Sequence, residues 1–135
     1  MAKTIQDAML QLVAIANGLS GMRTAKNYPP DTAPTPPFAV AAPASGVWSR
    51  YADLYQGIHS VRVWILVPDI DTARDMEMLV PFGDSFGKAV WADPTLDGTV
   101  ETIIEVSYTF GPVDYFAIPH RGWTFTIKFK QEPTS

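Results

Sequence analysis

At 135 residues, 47% hydrophobic and 18% charged, the chain suffices for one folded domain with its own core, and its composition excludes wholesale disorder. The absence of cysteine excludes disulfides, thiolate metal sites and cysteine nucleophiles, and agrees with a reducing compartment. A net charge of −4, a pI near 4.9 and scattered basic residues count against a phosphate-driven nucleic-acid surface.

Residues 3–17 carry a helical period, with Ile5, Ala8, Met9, Leu12, Ala16 and Leu19 on one side. Thr4 followed by Asp7 reads as a shortened capping box, and Gly18 stands where a left-handed C-terminal cap would fall. The run Ala8 to Ala16 could pass for a secretory leader, but Gln6, Asp7 and Gln11 interrupt it and no Ala-x-Ala site follows. No apolar run approaches the roughly 18 residues of a membrane span, so the chain reads as soluble and not exported.

From Tyr28 to Pro43 the sequence is YPPDTAPTPPFAVAAP, with six of the twelve prolines and Asp31 as its one charge. Proline fixes φ and drives the preceding residue towards extended geometry, while Tyr28, Phe38 and Val40 supply apolar anchors. An extended, surface-lying arm over 28–46 is the expectation. A strand is predicted over Val47 to Tyr55, with Gln56-Gly57 turning it into a second strand at Ile58. In that strand Val61, Val63, Ile65 and Val67 share a face opposite Arg62, Trp64 and Leu66. Asp69 to Trp91 reads as helical, with Asp71 as N-cap and with Pro81 and Gly83 splitting or kinking it. Asp93-Pro94 and Asp97-Gly98 mark turns. Alternation from Val100 to Phe110 and from Trp123 to Phe129 predicts two more strands, the second with Trp123, Phe125, Ile127 and Phe129 inward. A short strand over Val113 to Ile118 and a turn at Pro119-His120-Arg121-Gly122 lie between them. The order predicts an α+β domain spanning 1–135: a mainly antiparallel sheet, an N-terminal helix and a central helical insert packed on it, and the Pro-rich arm.

Catalytic, cofactor and metal motifs are not found. There is no phosphate loop, nucleophile elbow or H-E-x-x-H. His59 and His120 are the only histidines and read as structural or surface groups. Glu101 and Glu105 share a strand face, but four residues along a strand is roughly 13 Å, too far for a glycosidase pair. A solvated face opposite Lys128 and Lys130 accounts for them. The DPTLDG segment at Asp93 resembles a calcium loop but lacks the ligand spacing, and reads as tight turns.

The layout resembles the neck and tail-completion proteins of long-tailed bacteriophages, in particular the tail terminator family. The features that match are the short helix ending at Gly18, the strand-like Met22 to Lys26, the arm Tyr28-Pro29-Pro30 to Pro36-Pro37-Phe38, the strands around Arg50-Tyr51 and Val61 to Val67, the helical insert and the two closing strands. The resemblance implies a non-enzymatic virion protein without cofactors, assembled in the host cytoplasm. It would form a hexameric ring with itself at the head-proximal end of the tail tube, where it stops tube polymerisation. Its other partners would be the tail tube protein and the head–tail connector protein. DNA would pass through the lumen without specific binding, and no membrane is involved. A ring needs two different patches per subunit. Tyr28, Phe38 and Trp48 are the expected anchors on a neighbour, with Arg23 and Arg50 as polar contacts. Replacing Tyr28 and Phe38 by Ala is expected to leave the fold intact and weaken the ring. Two alternatives stand beside this: a head–tail stopper, connector adaptor or tail tube subunit, and a small ligand-binding or hydrolase domain with a site around His59, His120 and Arg121.

Overall fold

The computed structural model describes residues 4–27, 36–51, 54–68, 72–115 and 118–131. Helix α1, Ile5–Asn17, starts at the predicted capping box: Thr4 Oγ1 accepts from the Asp7 N–H at 3.2 Å, and the Asp7 carboxylate accepts from the Thr4 N–H at 2.9 Å. Its predicted apolar face is the one that packs. Ala8, Met9, Leu12 and Ala16 are buried, with Ile5 and Leu19 against them. The C-terminus departs from expectation. Gly18 stays right-handed at φ −83°, and the left-handed residue is Gly21 at φ 90°.

Among the described residues five strands follow around one further helix: β1 Thr24–Asn27, β2 Phe38–Tyr51, β3 Leu54–Pro68, helix α2 Thr72–Trp91, β4 Thr102–Tyr115 and β5 Ile118–Lys130. They form a single sheet in the order β1-β2-β3-β5-β4. Only the β1–β2 pairing is parallel; the other three are antiparallel. The protein is an α+β domain on a mostly antiparallel sheet.

Several expected boundaries move. Residues 38–46 of the expected arm are the first part of β2, and 28–35 lie outside the described residues. Phe38 and Val40 point to one face of the sheet and Ala39 and Ala41 to the other, all four buried. A strand covered on both faces reads as a continuous apolar run, which hides its alternation. The first hairpin reverses between Tyr51 and Leu54, so Gln56 and Gly57 lie inside β3. Likewise β4 continues through Val113 to Tyr115, and Pro119–Gly122 belong to β5. Helix α2 is unbroken across Pro81, which is exposed. The carbonyl that Pro81 leaves without a helical donor belongs to Glu77, also an exposed position, where water can serve it. The expected cap Asp71 is outside the described residues.

The main core lies between the helices and one face of the sheet. Val61, Val63, Ile65 and Val67 of β3 and Phe125, Ile127 and Phe129 of β5 meet Leu79, Phe82, Phe86 and Val90 of α2. Phe86 and Phe125 make an edge contact with centroids 4.8 Å apart. The opposite face carries a smaller cluster of Phe38, Val40 and Leu66, with Trp64 and Val113 partly buried against it. Both outer partners of the central β3–β5 pair are irregular at the same height. Strand β2 bulges between Pro43 and Ser45, opposite Val61 and Ser60. Strand β4 bulges between Ile103 and Glu105, opposite Phe129 and Lys128. At the β4 bulge Ile103 is buried and Ile104 exposed.

Candidate functional site

Strand β5 gives out where Lys130 pairs with Ile58, but β2 and β3 continue. The Gln131 N–H still donates to the Gly57 carbonyl at 2.8 Å; past it, among the described residues, the pairs Ser49–Gln56, Arg50–Tyr55 and Tyr51–Leu54 form a two-stranded ribbon. Isolated ribbons gain little from their own pairing. This one also exposes apolar surface at its base, with Val47 65%, Trp48 53% and Ile58 40% accessible.

On the helix-bearing face at the base of the ribbon sits His59. Gly46 pairs directly with it across the β2–β3 ladder, and Gly57 precedes it by two residues on the same face. A Cβ at Gly46 would collide with the imidazole Nδ1, and one at Gly57 with Nε2, so both positions require glycine for close approach. Trp48 lies edge-on to the ring with centroids 4.5 Å apart, and Phe129 flanks it at 6.0 Å. His59 is buried, its Nε2 has no hydrogen-bond partner among the described residues, and burial pushes its pKa below 6.5. A cavity of about 240 Å³ opens beside it, lined in part by Ile5, Ser45, Trp48 and Ser60.

The residues singled out from sequence scatter. Trp48 and Arg50 are exposed on the same strand, two residues apart and hence on one face. Arg23 is exposed just before β1, where its N–H donates to the Pro37 carbonyl at 3.1 Å. Tyr28 lies outside the described residues. Phe38 is fully buried within its own chain and meets the His120 ring edge-on at 5.7 Å. Its side chain is core, so the expectation that Phe38→Ala spares the fold is corrected. His59 and His120 are not brought together. His59 pairs with Phe129, nine residues along β5 from His120 and roughly 30 Å away. They also face opposite sides of the sheet, so no site around His59, His120 and Arg121 exists. Glu105 pairs with Lys128, and Glu101 approaches Lys130 at 3.7 Å, as a solvated face requires. Asp93 accepts from the Asp97 N–H at 2.9 Å and from the Gln11 amide at 3.1 Å, which makes it a turn and tether residue. The His59 niche was not read from sequence. Its signal is a histidine with one glycine two residues before it, Gly57, and a second, Gly46, in the preceding strand.

Comparison with models of known protein families and with curated protein sequences finds no match. No helix among the described residues is long and apolar enough to cross a membrane.

Proposed function

We propose that the protein is a structural subunit of the neck of a long-tailed phage, a tail terminator that assembles as a ring on the head-proximal end of the tail tube. The observation that carries this reading is the projecting β2–β3 ribbon, with Val47, Trp48 and Ile58 exposed at its base and Arg50 beyond them. A ribbon that leaves its own sheet and exposes apolar side chains is suited to lie on a neighbour. Ring subunits need an outward-reaching patch of this kind to meet a different patch on the next copy. The layout that resembles terminators adds to this, since the helix, the hairpin, the insert and the closing hairpin occur in the expected order.

The deciding experiment adds purified protein to polymerising tail tube protein and images the products. Tubes that stop growing, each with a ring at one end, are the expected result. Tubes of undiminished length without an end cap overturn the terminator reading, and incorporation along the tube wall replaces it with a tube subunit. The niche beside His59 favours a second reading, a small-molecule site. Thermal stabilisation by a compound in a fragment screen, lost in His59→Phe, would establish it.

A further inference from the structure

We propose that one copy of the chain docks onto the next by antiparallel strand pairing, with the free edge of β4 on one copy laid along the free edge of β2 on its neighbour. This rests on the ring reading and names the two surfaces that would form it. Among the described residues the sheet ends in β4 on one side. On the other side β1 covers only Phe38 to Ala41 of β2, which leaves the rest of β2 with an unpaired edge among the described residues. Unpaired edges of this length are templates for another strand.

Three features fit these edges to each other. The first is direction. Strand β4 runs opposite to β2 within the sheet, so a copy that continues the sheet in the same sense meets it antiparallel. The second is charge. Strand β4 and the residue before it carry Glu101, Glu105 and Asp114 and no basic residue. The described part of the β1–β2 edge carries Arg23, Lys26 and Arg50 and no acidic one. Each edge thus carries one sign of charge, and the two signs are opposite. The third is length. Between its bulge and Pro112, β4 offers the uninterrupted run Glu105 to Gly111; beyond its own bulge, β2 offers Ser45 to Tyr51. Each run is seven residues.

Laying these runs end to end places Glu105 opposite Tyr51 and Gly111 opposite Ser45. Tyr108 then falls opposite Trp48 at the centre. Both are more than half exposed, at 63% and 53%, and both stand on the helix-bearing face, as a continued sheet demands. Phe110 falls opposite Gly46, where no side chain obstructs it. Within one copy Glu105 lies level with Ser45 through Lys128 and Ser60, so this register offsets neighbours by six residues. Six residues is about 20 Å against a repeat of four strands, β2-β3-β5-β4, about 19 Å wide, a slant of about 46°, at the upper edge of the roughly 35–45° at which strands tilt when a sheet closes on itself.

The test uses two full-length variants and native mass spectrometry. Trp48→Glu breaks the β2 edge and leaves β4 intact; Tyr108→Glu does the reverse. Each alone is expected to lose self-association, at least tenfold in apparent affinity, while the two mixed form a 1:1 dimer that grows no further. Circular dichroism melts check each fold. If Tyr108→Glu disturbs the aromatic contacts of Tyr108, Thr109→Glu, exposed in the same run and opposite Val47, takes its place. Variants that assemble as the parent does overturn the edge pairing and leave the ring reading standing. A parent chain monomeric at high micromolar concentration also overturns the pairing, with the ring reading decided by tube capping. A mixture that stays monomeric, or single variants that form dimers of their own, overturns the head-to-tail arrangement.

Discussion

Replacing Gly57 by Ala tests the description of the niche most directly. An added Cβ would collide with the His59 Nε2 and lie 2.7 Å from Cε1 and 2.9 Å from Cδ2. The ring has no easy retreat, because Gly46 sits under Nδ1 and Trp48 and Phe129 stand on its flanks. Overpacking of this kind costs about 1–3 kcal/mol. The backbone of Gly57 is not in the left-handed region, so Ala itself contributes about 0.5 kcal/mol of stability in a strand. The net expectation is a loss of about 1.5 kcal/mol. For a chain of 135 residues the unfolding entropy near Tm is about 0.28 kcal/mol/K, so Tm falls by about 5 °C. Urea denaturation of the parent, Gly57→Ala, His59→Ala and the double variant gives the cycle. With the imidazole gone, Gly57→Ala should become neutral or mildly stabilising, a coupling of about 2 kcal/mol. Equal cost in both backgrounds would refute the steric reasoning and place the strain in the backbone.

Three further outcomes follow from the fold. Because burial lowers the His59 pKa in the native state, the unfolded chain binds the proton more readily as pH falls below 6.5, and stability should decline there while staying flat above it. Melts at stepped pH check this, and His59→Asn should reduce the decline; the cavity lining residues include no charged group that would mimic it. Phe38→Ala should destabilise by about 3–5 kcal/mol, since the ring is fully buried, and a melt unchanged from the parent would remove Phe38 from the core. Pro81→Ala should raise Tm by restoring the α2 hydrogen bond to Glu77 and removing the ring clash, a gain of about 1–3 kcal/mol. An unchanged Tm would mean that water already compensates the Glu77 carbonyl.

The amphipathic elements were legible because their patterns answer to a single buried face. Helix α1, its capping box and the inward sets of β3 and β5 follow from period alone. What misled was chemistry that admits two structures. Proline before Phe38 signals an extended chain, and an extended chain is equally an arm or a strand; only pairing with Leu66 decides it. Gln56-Gly57 has turn composition, yet Gly57 is glycine because His59 leans over it. Pro119–Gly122 reads as a turn for the same reason of composition. Pro81 was expected to interrupt α2, but Leu79, Phe82, Phe86 and Val90 anchor the helix on both sides of it. Trp48 and Arg50, expected to be contact residues, are exposed, and Tyr108, which shares one side of the alternation from Val100 to Phe110, is exposed as well.

The two bulges at one height give the sheet a crease. Each adds a residue that the straight neighbours β3 and β5 do not match, and extra local twist collects along the line joining Ala44 to Ile104. The aim of the distant ribbon is thus set from the margins, by residues that are not in it. A one-residue deletion at either bulge would leave every inward side chain inward and swing the tip instead. Chain length at two marginal positions is therefore a dial for where the ribbon reaches, adjustable without disturbing the core.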